Sequence, residues 1–296
     1  MSGMKTKHAA AEPTQEVVPV AAQAVTTVED YGDDVYDGLS DVVGTEMMIP
    51  FLRILQSNSP SCTEGSPAYD ADHRPGMLIH TANAETYPKD LGVGFIPVYR
   101  THGFTEWTPI DDGGGFRGQV EATEPRIAKL LREQGTFKKL VDATTKTELV
   151  ETFTVYGLGV SLNKDGAWTN ETAAPCVISF TSTQIKKYKQ LITRLVALIG
   201  HPPRFPMYAW RWHLGTQPEK NKKGSYYGWR LTLAEETADA SRLRPSDPLY
   251  QQAKSLHQMV KDGIVRADYA ASGAAADVET QQEGSVTTED AEHIPF

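Results

Sequence analysis

Residues 175–200 read PCVISFTSTQIKKYKQLITRLVALIG, and two hydrophobic periods meet inside them. Over Pro175–Ser182, Cys176, Ile178 and Phe180 alternate to one side, the period-two pattern of a strand. Over Gln184–Ile199, Ile185, Tyr188, Ile192, Leu195 and Ile199 recur every three or four residues. Lys186, Lys187, Lys189, Gln190 and Arg194 take the other side, which makes this the clearest amphipathic helix of the chain. Gly200 and the Pro202-Pro203 pair stop it.

Working outward, the C-terminal side predicts a hairpin: Met207–Leu214, a polar loop over Gly215–Gly224, then Ser225–Leu233. A last helix is expected over Pro248–Lys261, with Leu249, Ala253, Leu256, Met259 and Val260 inward. On the N-terminal side, Thr147–Leu162 is a long extended segment. Thr123 is expected to cap a helix through about Gln134, with Ile127, Leu130 and Leu131 on one face. Asp111–Gly115 is a loop, and strands are expected at Gly76–Thr81, Leu91–Arg100 and Gly103–Thr108. Order begins near Ile49–Leu55, before the turn-rich Ser57–Ser66. Many short strands around one prominent helix predict a mainly β chain with helical insertions (α+β), in the manner of an OB-like, partly open β-barrel. A mixed α+β sandwich gives much the same pattern.

Hydrophobic residues make up 40% of the 296 and aromatics 9%, which excludes a wholly disordered or fibrous chain. No apolar run reaches the ~18 residues of a membrane span. Cys62 and Cys176 form neither a disulfide framework nor a zinc motif. Lys5 and Lys7 precede Val17–Val25, but Glu12, Pro13, Glu16 and Pro19 interrupt any signal-peptide core. The expectation is a cytoplasmic protein without a membrane partner.

The net charge of −9 is unevenly spread. Residues 1–48 carry −7 and residues 267–296 another −7, leaving 49–266 at +5. Three regions follow: an acidic arm over 1–45, expected to be disordered; an OB-like body over 46–266; and an acidic tail over 267–296, also expected to be disordered.

Within the body, residues 184–230 hold ten basic side chains against one acid, Glu219, and eight aromatics, including three of the five tryptophans. Cations that track phosphates, interleaved with aromatic faces for unpaired bases, are what sequence-tolerant single-strand binding requires. Alternation divides the hairpin. Tyr208, Trp210, Trp212 and Leu214 share one face with a core-like pattern, as do Tyr227, Trp229, Leu231 and Leu233. Whether Trp210, Trp212 and Trp229 are core or stacking residues stays open. The nucleic-acid candidates are the opposite set, Arg211, His213, Tyr226 and Arg230, with Lys220, Lys222 and Lys223 of the loop. Lys186, Lys187 and Lys189 join them, although a solvated helix face would carry the same residues.

Other chemistry finds no footing in the sequence. Asp111–Gly118 lacks the Lys-Ser/Thr of a phosphate loop and the spacing of a dinucleotide fingerprint. Cys62, His73 and His80 do not have zinc-site spacing. A nucleophile elbow and an HExxH helix are missing. The expectation is a protein that is not an enzyme, with no catalytic residue, metal or cofactor.

The chain ends Glu289-Asp290-Ala291-Glu292-His293-Ile294-Pro295-Phe296. This tip resembles that of bacterial and phage single-stranded DNA-binding proteins, whose acidic tails end in the same three residues; here Ala291 and His293 interrupt the acids. Pro50–Pro60 and Thr147–Ser161 are also similar to segments of phage proteins of that kind. The resemblance implies that Ile294, Pro295 and Phe296 anchor replication, repair or recombination proteins, with Glu289, Asp290 and Glu292 steering toward a basic rim. The reading is a sequence-independent single-stranded DNA-binding protein in DNA replication or recombination, compatible with a homo-oligomer. The alternative is a non-enzymatic phage virion or assembly protein.

Overall fold

A computed structural model describes residues 48–135, 139–221, 224–267 and 269. The spine is an antiparallel pair of long strands, β5 (Val93–Trp107) and β8 (Thr147–Leu162), paired from Gly94–Val160 to Trp107–Glu148 with a register shift between Pro97 and Tyr99. The strands expected over Leu91–Arg100 and Gly103–Thr108 are therefore one, and Pro97 sits at its irregularity, where a missing ladder donor is tolerated.

Each half of the ribbon has its own flanks. At the Trp107 end lie β6 (Phe116–Glu121), β7 (Lys139–Asp142) and α1 (Pro125–Gln134), which enclose Phe104, Val120, Ile127, Leu130, Leu140 and Leu149. The other half carries β9 (Trp168–Thr181) against β8, and β10 (Trp212–Asn221) then β11 (Gly224–Leu233) beyond β5. The strand order β11-β10-β5-β8-β7, with β6 and β9 off that path, leaves the sheet open. The protein is mainly β with a few helices, and among the described residues the strands do not close into the barrel expected from the sequence.

This half of the sheet is covered on both faces, so β8 is buried along most of its length and residues 176–180 of β9 are apolar but for Ser179. On one face α2 (Ile185–Ile199) presses Tyr188, Leu191 and Leu195 onto Phe95, Phe153, Ile178, Phe180 and Trp212. On the other, α3 (Pro248–Lys261) presses Leu249, Ala253, Leu256 and Val260 onto Ile96, Val98, Tyr156 and Leu158. Asp247 caps α3 by accepting from the Leu249 backbone N–H (2.9 Å). Cys176, Ile178 and Phe180 share the α2 face, as their alternation predicts. Trp210, Trp212 and Trp229 are 2%, 0% and 4% exposed, which places them in the core rather than among stacking residues.

Short strands complete the body. β2 (Leu52–Ile54), β3 (Leu78–His80) and β4 (Thr86–Tyr87) form a small sheet, and β1 (Met48–Ile49) pairs in parallel with β12 (Arg266–Ala267). Tyr269 lies just beyond the body boundary expected at 266, yet it is buried against Phe51 (ring centroids 4.8 Å apart) and bonded to the Thr154 hydroxyl. The arm over 1–45 and, apart from residues 267 and 269, the acidic tail lie outside the described residues.

Candidate nucleic-acid interface

The hairpin differs from its sequence expectation. Met207–Ala209 is a 3-10 turn, and the segment expected as a loop is strand from Gly215 to Asn221. Pro218 is opposite Tyr227, whose backbone N–H and C=O both point away from β10. The pair is thus a non-hydrogen-bonded one, and the N–H that proline lacks is not needed there.

The register assigns every side chain a face. Trp212, Leu214, Thr216, Tyr227, Trp229, Leu231 and Leu233 share the face toward α2. His213, Gly215, Gln217 and Glu219 share the opposite face with Tyr226, Gly228, Arg230 and Thr232, whereas Lys220 falls in the alternation of Trp212 and Leu214. Glycine keeps this outer face low. A side chain at Gly215 would come within 3.3 Å of the Arg230 Nη2 and 3.4 Å of the His213 Cε1, so these two candidates lie side by side over bare backbone.

Helix α2 reaches the same surface around the free edge of β11. Gln184 Oε1 accepts from the Trp229 backbone N–H (2.9 Å), and the Arg194 Nη1 donates to Leu231 O (3.3 Å). Lys187 Nζ lies 2.6 Å from Glu219 Oε1, while Gln217 Nε2 donates to that same oxygen and the Tyr226 hydroxyl donates to Oε2, both at 2.9 Å. Burial alone would raise the Glu219 carboxyl, but these donors outweigh it and hold it below the usual carboxylate range. These contacts bring Lys187 and Arg194 of α2 to the hairpin edge, and Lys187 to the outer face that carries Tyr226 and Arg230.

The sequence candidates are used unequally. Lys186, Lys189, Lys220 and Arg230 are exposed and have no ion-pair partner among the described residues. Lys187 and Tyr226 are engaged with Glu219. Arg211 is half-buried, 3.5 Å from Glu235 Oε1, bonded to Ala240 O (2.8 Å) and placed over the Trp168 ring at 5.5 Å. His213 Nε2 is 2.6 Å from Leu91 O and therefore carries the proton, donating to that carbonyl. Lys222, Lys223, Glu289, Asp290, Glu292, Ile294, Pro295 and Phe296 lie outside the described residues.

Sequence reasoning passed over Gln217, Trp168 and Gln184 on this surface and marked Glu219 only by its charge. Gln217 and Glu219 were assigned to a loop, where alternation carries no meaning; Trp168 and Gln184 reach the surface only through tertiary contacts. Among the described residues no group of three or more His, Cys, Asp or Glu side chains is arranged to hold a metal ion. No helix among them is long and apolar enough to cross a membrane.

No curated protein and no solved structure matches the chain. A family model described as Pam3 phage gp34-like protein matches residues 19–266. That match takes in the long ribbon, both covering helices and the basic hairpin, well over half of the chain. The protein belongs to the Pam3 phage gp34-like family, a family of bacteriophage proteins.

Proposed function

We propose that this protein binds single-stranded DNA without base specificity during phage DNA replication or recombination, and that its C-terminal tip recruits partner proteins. One observation carries the reading. Lys187 of α2 meets Glu219 and Tyr226 on the outer face of the hairpin, where Arg230 is exposed, and Lys186, Lys189 and Lys220 are further exposed cations on the same two elements. Such a surface tracks a phosphate backbone and contains no recognition helix to read a groove.

With Trp210, Trp212 and Trp229 in the core, stacking on bases falls to half-buried rings beside the cations, Tyr226 and Trp168. From the OB comparison the reading keeps only the use of an antiparallel sheet as a platform, which needs no closed barrel. The partner role rests on the sequence of the tip, where Glu289, Asp290 and Glu292 precede Ile294, Pro295 and Phe296.

A mobility-shift assay with labelled single strands tests the binding. Wild type should retain the strand, and the combined Lys186→Gln, Lys189→Gln, Lys220→Gln and Arg230→Gln variant should lose most retention while melting near wild type. Equal retention by both contradicts the proposed surface. Phe296→Ala should leave retention intact and abolish pull-down of replication or recombination proteins; partner capture that survives the change contradicts the tail assignment.

A further inference from the structure

Glu219 is the only acid among the ten basic residues of 184–230, and it sits where an anion belongs. A cation and two neutral donors converge on its carboxylate: Lys187 Nζ at 2.6 Å, Gln217 Nε2 at 2.9 Å and the Tyr226 hydroxyl at 2.9 Å. One ammonium with amide and hydroxyl donors is also the set by which proteins hold the phosphate oxygens of a nucleic acid. The floor beneath is Gly228, where a Cβ would come 2.8 Å from Glu219 Cδ and 2.9 Å from Gln184 Nε2. The space is thus an open cradle only because residue 228 has no side chain. The Glu219 side chain is 17% exposed and that of Lys187 20%, so the cradle opens at its rim to solvent.

We propose that Lys187, Gln217 and Tyr226 form a phosphodiester subsite, and that Glu219 occupies it in the DNA-free protein as an intramolecular competitor. The proposal rests on the single-stranded DNA reading above and adds a regulatory element to that surface. Lys187, Gln217 and Tyr226 are aimed at one place, and a second anion crowded there against Glu219 is repelled by it. A strand entering the subsite must therefore turn the Glu219 side chain outward about its rotatable bonds. The displaced carboxylate stays on the same face and repels the incoming phosphates. Glu219 thereby lowers affinity and selects strands able to make several contacts at once over single anions.

Fluorescence anisotropy with a labelled oligo-dT strand, across a sodium chloride series, tests this on the full chain. Glu219→Gln should tighten binding about two- to fivefold at low salt, the range of a partly exposed ion pair. It should also steepen the log–log salt slope by about 0.7, one additional phosphate neutralised on a single strand. Lys187→Met alone should change affinity little, because Glu219 already neutralises that ammonium. In the Glu219→Gln background the same change should erase the whole gain, and this non-additivity is something a merely structural ion pair would not produce. Glu219→Ala is the second variant, with the same expectation. Wild-type binding together with unchanged affinity and slope in both Glu219 variants overturns the subsite and leaves the single-strand reading standing. A wild-type protein that fails to bind the strand overturns both.

Discussion

The Gln56 side-chain amide pairs with the Tyr227 backbone like a missing strand: its Nε2 donates to Tyr227 O at 2.8 Å, and its Oε1 accepts from the Tyr227 N–H at 2.9 Å. With Gln184 on the Trp229 N–H and Arg194 on Leu231 O, three side chains occupy the free edge of β11. An exposed edge is a template for pairing with another chain, and here distant residues cover it. Gln56→Ala leaves two backbone groups without their protein partner. We expect a loss of about 1–3 kcal/mol in chemical denaturation, with faster self-association on concentration. Unchanged stability and unchanged association would show that the amide pair does not protect the edge.

Burial separates packing from binding on the hairpin. Trp212 is fully buried, so Trp212→Ala should cost about 3–5 kcal/mol of stability by equilibrium denaturation. Arg230→Ala, on the exposed outer face, should keep the wild-type melting temperature and weaken strand binding. A Trp212→Ala protein that melts normally and loses only binding would invert the face assignment.

Acid sensitivity should centre on Arg126, which lies 2.6 Å from Glu106 Oε1 and 2.5 Å from Asp142 Oδ2. The Arg126 hydrogen bond holds Glu106 below its usual range; burial opposes ionisation of Asp142 but is outweighed by Arg126 and the Thr144 and Thr145 backbone donors. A carboxylate depressed in the fold contributes stability that is complete above its unfolded value, near 4, and is lost as pH falls through its folded value. Wild-type stability should therefore decline below about pH 4. Arg126→Met should destabilise the protein at pH 7 by ~1–3 kcal/mol and flatten that acid decline. An identical pH profile in the variant contradicts the assignment.

The two thiols should react unequally. Cys176 is buried under α2, and burial pushes its thiol up to about 12; Cys62 is half-exposed and raised by a partial burial. Iodoacetamide at pH 8 should label Cys62 alone in the native protein and both residues in denaturant, as read by mass spectrometry. Native labelling of Cys176 would mean that this half of the sheet opens readily.

What could be read from sequence follows from where each contact partner lies. Helix α3 was expected over Pro248–Lys261 and is found there, because its stripe of Leu249, Ala253, Leu256 and Val260 is a local signal. Cys176, Ile178 and Phe180 alternate for the same local reason. The hairpin was misplaced because Pro218, Glu219 and Lys220 are turn-like residues, and what makes them strand is the opposing Tyr227 and the distant Gln56. Glu219 stood out as the lone acid of its window, but the convergence of Lys187, Gln217 and Tyr226 on it depends on α2 wrapping the β11 edge. Open or closed sheet geometry depends on which strands meet last, and no local pattern encodes that.

Selectivity between strand forms tests the central claim most directly. Anisotropy titrations of a labelled single strand and of its duplex, at matched length and moderate salt, should show tight binding to the single strand and weak binding to the duplex. Strands of different base composition should bind alike, and log affinity should fall against log salt by roughly 0.7 per phosphate contacted. Equal affinity for single strand and duplex, or no measurable binding to either, would contradict the account.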